Sequence, residues 1–332
     1  MHLTLSSIGT RLPTLLLLCL ASLGFTGCKG DQDKVVLRFG HLGNENHVWH
    51  RAALEFAQIV NAKSGGRIEI KVYPNEQLGK ELDMINGIRA GVVDMTITGE
   101  SLQNWTPAAG LCAVPYAIRD SEHLARVVEG PVGEAISAEI LERVGLRPLA
   151  WFERGARNLT SNRPIRHPDD LKGIILRVPN VPLYVKTWKA LGAKPTPMAF
   201  SEVFTSLQQG TVHAQENPYA LILSAGFPEV QKYCNLTEHV IGWVYVVIGE
   251  TQFQALPDDL KDVLLEAGQA MQTIHQRLFK ETQQQLIDSL KERGMIFVET
   301  DREAFKARAE AAVLSALTEQ QRGLYRQIVE MD

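Results

Sequence analysis

Strand and helix patterns alternate along the first third of the chain, and this alternation limits the fold more than any other feature. VVLRFG (35–40) has the composition of a strand, and apolar residues at helical spacing follow over 48–63. RIEIKVY (67–73) is a second strand, a helix is predicted over 81–90, and VVDMTITG (92–99) is a third strand. This β-α-β-α-β order predicts a parallel sheet with helices on its faces.

A second series of the same kind begins near residue 155. Strands are predicted at NLTSN, IILRVP and AKPTPMA, and helices over 183–191 and 201–209, with a glycine after each helix. The polar segment HAQENP (213–218) predicts a turn. Two α/β series in succession predict two lobes. Ligands of open α/β sheets bind at the carboxyl ends of the strands, so we expect the ligand in the cleft between the lobes.

The chain becomes helical after Pro257. Apolar residues recur from Leu260 to Leu290 at steps of three, four or eight and predict one helix over 258–293. At 1.5 Å per residue it would be roughly 50 Å long, so we expect it to cross both lobes or to pack against a partner. The lobes are predicted at 29–154 with about 243–282, and at 155–242 with about 283–332.

Residues 1–28 have the pattern of an export signal. Arg11 precedes an apolar stretch from Leu12 to Phe25, whose length suits a signal peptide and is short for a membrane span. The stretch ends in FTGC, which resembles the lipobox of bacterial lipoproteins, and Cys28 would then be the lipidated first residue of the mature chain. Phenylalanine is less usual than leucine in this motif, so ordinary signal cleavage nearby is the alternative.

Charge and cysteine content exclude several classes of protein. The net charge is −4 and no basic tract occurs, which argues against nucleic acid as a partner. No later stretch approaches the roughly 20 apolar residues of a spanning helix, so contact with the membrane is expected only through a lipid anchor. Cys112 and Cys234 form no CxxC pair, and they either bridge in an oxidising compartment or remain separate buried thiols. No cofactor is predicted.

Two arginines lie in segments where an unpaired charge would cost free energy. Arg177 follows three apolar residues inside a predicted buried strand, and Arg157 lies in ERGARNLTSNRPI. A buried guanidinium costs several kcal/mol unless an anion meets it, and its planar fork fits a carboxylate in two parallel hydrogen bonds. The arginines therefore predict a carboxylate site. The structural alternative is an ion pair, for Arg177 with a neighbouring carboxylate and for Arg157 with Glu153 or Asp169.

Several segments, in the same order, resemble the DctP-type solute-binding proteins of TRAP transporters. The resemblance runs from about residue 36 to 300. It implies an α/β, two-lobed fold like that of periplasmic binding proteins, with a ligand cleft between the lobes and a long helix spanning them. The matching segments are SGGRIEIKVYPNEQLG, VVDMTITG, RNLTSNRPI, DLKGIILRVPN, ALGAKPTPMAFSEVFTSLQQG, AQENP and EVQKYCNLTEHV.

The resemblance also implies roles for second-lobe residues. Arg177 occupies the position of the family arginine that forms the principal salt bridge to the ligand carboxylate, and Arg157 that of an assisting arginine. Asn217 matches an asparagine that hydrogen-bonds the ligand, and Phe200 an aromatic residue beside it. The chain departs from the family pattern at Ala199, where proline is more usual. The aspartate that often precedes the QENP segment is missing, so no role for it is carried over.

First-lobe candidates follow the first and third predicted strands, where the cleft is expected. A carboxylate such as Glu100 suits ligand hydroxyls and would repel a second ligand carboxylate. Trp105 and Trp243 either stack on a sugar-like ligand or pack in the core. His47 and His50 have a spacing that suits a metal on one helical face, but no cysteine or carboxylate completes a site, so no metal is predicted. The candidates are His41, Asn44, Asn46, His47, Glu100, Ser101, Asn104 and Trp105.

Together these features predict an extracytoplasmic protein that captures a small organic acid and delivers it to the TRAP membrane permease. One carboxylate with several hydroxyls favours a sugar acid or hydroxy acid over a plain dicarboxylate. The alternatives are a co-receptor that presents the ligand to a sensory system, and a secreted enzyme. Against an enzyme, the chain has no GxSxG, no HExxH and no recognisable cysteine nucleophile.

Overall fold

The computed structural model describes residues 34–331. The predicted signal peptide, Cys28 and residue 332 lie outside the described residues. Over residues 34–331, no helix is both long and apolar enough to cross a membrane. The strands are β1 Val35–Gly40, β2 Ile68–Tyr73, β3 Met95–Thr98, β4 Leu146–Glu153, β5 Arg157–Ser161, β6 Ile175–Val178, β7 Lys194–Pro197, β8 Ala214–Pro218, β9 Tyr233–Val240, β10 Trp243–Gly249 and β11 Ile296–Glu299. The α-helices are α1 Val48–Lys63, α2 Glu81–Arg89, α3 Ser121–Glu129, α4 Pro131–Val144, α5 Pro182–Leu191, α6 Val203–Gln208, α7 Tyr219–Ser224, α8 Glu250–Gln254, α9 Asp258–Glu292, α10 Arg302–Ala316 and α11 Glu319–Glu330.

The first sheet has the order β2-β1-β3-β10-β4. The pairs β1–β2 and β1–β3 are parallel, as the alternating pattern predicts. The sheet is nevertheless mixed, because β10 enters it antiparallel to both β3 and β4. Helix α1 covers one face with a stripe of buried apolar residues that includes Trp49, Phe56 and Val60.

The second sheet has the order β11-β9-β5-β8-β6-β7. The turn predicted over 213–218 is wrong, because Ala214–Pro218 forms strand β8 between β5 and β6. Every residue of this polar strand is buried. Its side chains find partners inside the lobe: Gln215 Nε2 donates to Thr160 Oγ1 at 2.9 Å, and Asn217 Nδ2 donates to Gln215 Oε1 at 2.7 Å.

The long helix α9 joins the two lobes. Its first half packs on α1 and β4, with Leu264 and Met271 in the core of the first lobe. Gly268 permits this close approach, since a Cβ there would lie 2.6 Å from the carbonyl oxygen of Leu149. Near its end, Leu290 lies in the core of the second lobe. The predicted crossing of both lobes is confirmed.

The exact lobe boundaries stay a prediction, and the last helix bears on them. Helix α11 follows second-lobe elements in the chain, yet it contacts α4 of the first lobe. Gln321 Nε2 donates to the carbonyl of Pro107 at 2.5 Å.

The two described cysteines are free and buried. Cys112 and Cys234 belong to separate hydrophobic clusters. Of the two alternatives, the structure has the separate thiols.

Candidate ligand-binding site

A cavity of about 310 Å³ lies between the two sheets. On the first lobe it is lined by the segments that follow β1, β2 and β3, and on the second by β8 and the segments after β6 and β7. This is where the carboxyl ends of parallel strands place ligands. The volume is at the lower end of the range for small-molecule sites. The cavity therefore fits one small ligand.

Arg177 on β6 is a cavity residue with an unbalanced charge. It is only 3% exposed, and its Nε and Nη2 donate to the carbonyl oxygen of Met198 at 3.0 and 2.6 Å. Among residues 34–331, no carboxylate forms an ion pair with it. Burial lowers the pKa of Arg177 to about 10, and Glu216 is the largest opposing influence. The guanidinium thus stays charged at neutral pH without a counter-ion.

Arg157 on β5 has a counter-ion in Glu216 on β8. Its Nε and Nη2 lie 2.5 and 2.8 Å from the two carboxylate oxygens, in a bidentate pair. The same carboxylate lies 2.8 Å from His239 Nε2. Burial by itself opposes the Glu216 charge, but Arg157 outweighs it and the pKa of Glu216 is lowered to about 2. Antiparallel pairing of β5 with β8 creates this contact.

The structure pairs Arg157 with neither of the carboxylates considered from the sequence. Glu153 accepts a hydrogen bond from Ser121 Oγ at 2.6 Å. Asp169 lies 2.8 Å from Arg308 Nη1. Glu216 was missed because two residues on neighbouring strands meet through the strand register, which the sequence does not state.

The negative charge of Glu100, which follows β3, is also met by arginine side chains. Arg154 Nη1 donates to Glu100 Oε1, and Arg157 Nη1 lies 3.7 Å from the same oxygen. Burial opposes the charge of Glu100, but Arg154 and then Arg157 outweigh it, so the pKa of Glu100 is lowered. Within the described chain, Arg157 Nη1 has no hydrogen-bond partner. Arg157 therefore keeps a donor for a ligand oxygen.

Glu81, the first residue of α2, is a cavity residue that sequence reasoning missed. Its Oε1 accepts from Thr98 Oγ1 at 2.8 Å and its Oε2 from Ser101 Oγ at 2.9 Å. In the described range it forms no ion pair. Burial, and then the neighbouring Glu100, raise its pKa. The available signal was its place at a helix start that follows the carboxyl end of β2.

Two further predicted residues line the cavity on the second lobe. Asn217 is buried at the end of β8, and its Nδ2 is held by Gln215. Phe200 is half-buried and packs edge-on against Phe227, with ring centroids 6.0 Å apart. They add an amide and an apolar surface to the cavity.

Three of the aromatic and imidazole candidates of the first lobe lie outside the cavity lining. His41 is buried with its Nε2 3.1 Å from His50 Nδ1, and burial lowers its pKa to about 3. His47 caps α1 by accepting from the backbone N–H of Trp49. Trp105 packs partly buried against the first-lobe core. Their roles in ligand binding stay predictions.

Polar contacts bridge the lobes around the cavity. Asn44 Nδ2 donates to the carbonyl of Ser224, and Asn104 Nδ2 to that of Asn180, both at 2.8 Å. These two ligand candidates therefore lie at the contact between the lobes, outside the cavity lining. At the rim, an ion pair of 2.6 Å joins Lys80 and Glu202. The lobes meet across the cleft.

Comparison with known proteins decides the family. Residues 39–320 match the model of the bacterial extracellular solute-binding proteins, family 7, called DctP. The chain belongs to this family. It is a solute-binding protein of the TRAP transporter type for small organic acids, and the resemblance and the two-lobed α/β fold are confirmed.

Two DctP relatives illustrate the match. A solute-binding protein of Roseobacter denitrificans is 50% identical over 302 residues, or 91% of this chain and 92% of the relative. The 2,3-diketo-L-gulonate-binding periplasmic protein YiaO of Escherichia coli is 36% identical over 272 residues, or 81% of this chain and 83% of the relative.

A solved DctP structure matches the fold closely. It is the crystal structure of a TRAP periplasmic solute-binding protein from Roseobacter denitrificans with bound L-galactonate. The TM-score is 0.88 at 50% identity, and the match covers 89% of this chain and 99% of that one.

Proposed function

We propose that this protein captures a linear sugar acid with one carboxylate outside the cytoplasmic membrane and delivers it to a TRAP permease. The observation that carries the proposal is the buried charge of Arg177. A cation kept in a cavity without a counter-ion is costly, and an anionic ligand removes the cost.

Arg177 is the proposed carboxylate anchor. A guanidinium has five N–H donors. The Met198 carbonyl oxygen accepts one hydrogen bond from Nε and one from Nη2 of Arg177. These bonds fix the plane of the guanidinium and leave three N–H donors for a ligand. Arg157 adds its unpartnered Nη1, and Asn217 adds its amide. Because Arg157 is already neutralised by Glu216, its contribution to affinity is the smaller one.

The first lobe is the proposed hydroxyl side of the site. Glu81 and Glu100 line it with carboxylate oxygens, which accept hydrogen bonds from ligand hydroxyls. Phe200 offers an apolar surface for the carbon chain. The relatives support this class, because one crystal structure holds L-galactonate and YiaO is named for 2,3-diketo-L-gulonate. Both are six-carbon sugar acids.

The proposed role needs no chemical step. Lobe closure buries the ligand and changes the surface that a permease meets, which suits a carrier that releases its ligand unchanged. The DctP family is extracytoplasmic, which supports the same location for this chain. Lipidation of Cys28 would then hold the protein at the membrane.

A thermal-shift panel tests the ligand class. We expect linear sugar acids to raise the melting temperature, since a ligand at 100 times its Kd adds about 2.7 kcal/mol to stability. Mass spectrometry of the recovered ligand should find it unchanged. A panel in which only acids without hydroxyls stabilise the protein would overturn the proposed class, and a converted product would favour an enzyme.

A further inference from the structure

We infer that Glu81 is a charge filter that admits sugar acids with one carboxylate and rejects those with a carboxylate at both ends. The inference rests on the proposed function, since it takes Arg177 as the anchor of the first carboxylate. It adds a residue that sets selectivity and a ligand class that the site excludes.

The cavity lining contains six buried or half-buried acidic and basic groups that decide its charge: Glu76, Glu81, Glu100, Arg154, Arg157 and Arg177. Three of them, Glu100, Arg154 and Arg157, form ion pairs. Glu100 pairs with Arg154 and lies near Arg157, and Arg157 pairs with Glu216, which lies outside the lining. Arg177 and Glu81 form no ion pair within residues 34–331. One unpaired cation on the second lobe thus faces a first-lobe wall with two carboxylates that form no ion pair in the described chain, Glu76 and Glu81. Glu76 accepts from the backbone N–H of Ser201 on the second lobe at 3.2 Å, whereas Glu81 is held by hydroxyls of the first lobe.

The neighbours of Glu81 determine which ligand groups it can bind. Thr98 and Ser101 each donate one hydroxyl hydrogen bond to it, so its oxygens are held in place, and within residues 34–331 no basic group forms a salt bridge with them. A carboxylate has about four acceptor sites and no donor. Two of these sites are filled, and the others accept from a ligand hydroxyl.

The two ends of a bound ligand are therefore treated differently. A ligand whose carboxylate meets Arg177 extends towards the first lobe. A terminal hydroxyl there donates to Glu81. A second carboxylate has no proton to donate and meets the like charge of Glu81 inside the cleft, and like-charge contacts of this kind weaken binding by about 100-fold or more.

This places the repulsion that the sequence suggested for Glu100 at a different residue. Glu100 receives Arg154 and lies near Arg157, so its charge is already met. Which acidic residue stays unbalanced depends on the positions of the arginines, and only the folded structure shows them.

Two probes that differ at one carbon test the filter. Galactarate has the carbon chain of L-galactonate with a carboxylate in place of the terminal CH₂OH. Both are titrated by calorimetry into wild type, Glu81→Gln and the control Glu134→Gln. Glu134 is an exposed residue of α4 outside the cavity lining, so the control makes the same change of charge away from the site. Because burial raises the pKa of Glu81, the titrations are run at about pH 8, which favours the ionised carboxylate.

The expected result is a change in the ratio of the two Kd values. Wild type and Glu134→Gln should prefer L-galactonate by about 100-fold or more, and Glu81→Gln should reduce the preference to less than about tenfold. The ratio is insensitive to a uniform loss of affinity. If Glu81→Gln melts early, Glu81→Ala replaces it with the same expectation.

Two outcomes overturn the inference and leave the proposed function standing. In one, wild type binds galactarate as tightly as L-galactonate. In the other, L-galactonate is preferred but the Glu81 variants keep the full preference. If wild type binds neither acid nor any other sugar acid, the proposed function fails and this inference fails with it.

Discussion

Replacing Arg177 with methionine is expected to reduce the affinity for L-galactonate by at least about 100-fold and to leave the protein folded. The variant removes the only cavity cation without a counter-ion in the described chain, so the ligand carboxylate loses its partner. Stability should change by less than about 1 kcal/mol, because the lost bonds to Met198 are offset by removal of an unpaired buried charge.

The matched control for this prediction is Lys80→Met. Lys80 also lines the cavity and is positive, but it is exposed at the rim and paired with Glu202. Exposed pairs contribute about 0 to 1 kcal/mol, so its affinity should fall less than about tenfold. Calorimetry and urea denaturation measure both variants. Retained affinity in Arg177→Met, or a loss of several kcal/mol of stability, would identify Arg177 as a structural residue instead.

Replacing Arg157 with methionine is expected to act mainly on stability, with a loss of about 3–5 kcal/mol. The change leaves Glu216, which is fully buried, without its bidentate partner. His239 remains nearby, but burial lowers its pKa and it is a poor substitute for a permanent cation. Replacing Arg157 and Glu216 together with methionine should recover much of the loss, because the uncompensated charge is removed. Urea denaturation of the two variants and wild type gives the comparison.

The same pair predicts an acid-sensitive stability. The folded pKa of Glu216 is lowered to about 2 from an ordinary value of 4.5. A lowered folded pKa stabilises above the unfolded pKa, and the contribution is lost as the pH falls from about 4.5 to 2, amounting to about 3 kcal/mol. In Arg157→Met this part of the pH dependence should be absent. A variant as stable as wild type, with an unchanged acid profile, would rule out a structural ion pair.

Long helices were predicted from the sequence almost to the residue. Helix α1 begins and ends as expected, and α9 ends one residue early, because repeated apolar spacing over many turns leaves little choice. Strand β8 was predicted as a turn, because the sequence does not show that its polar side chains find buried hydrogen-bond partners in the folded lobe. The antiparallel entry of β10 was also missed, because the order of elements along a chain does not state which strands become neighbours.

A site residue was predictable where its own sequence context is sufficient to identify it. Arg177 in an apolar strand stood out by itself, and the structure places it in the cavity. The role of a residue that depends on a partner was not predictable in the same way. Arg157 was expected to assist Arg177, but its ion pair with Glu216 shows only in the folded structure, and Glu81 gained importance only because Glu100 is neutralised by Arg154.

The central claim is that the unbalanced charge of Arg177 holds the carboxylate of a sugar acid. The most direct measurement is a calorimetric titration of the wild-type protein with L-galactonate and with galactitol, which has the same carbon chain and no carboxylate. We expect L-galactonate to bind and galactitol to give no detectable heat at concentrations about 100-fold higher. Equal affinity for the two compounds would contradict the claim, because the arginine would then contribute nothing that a neutral polyol does not also receive.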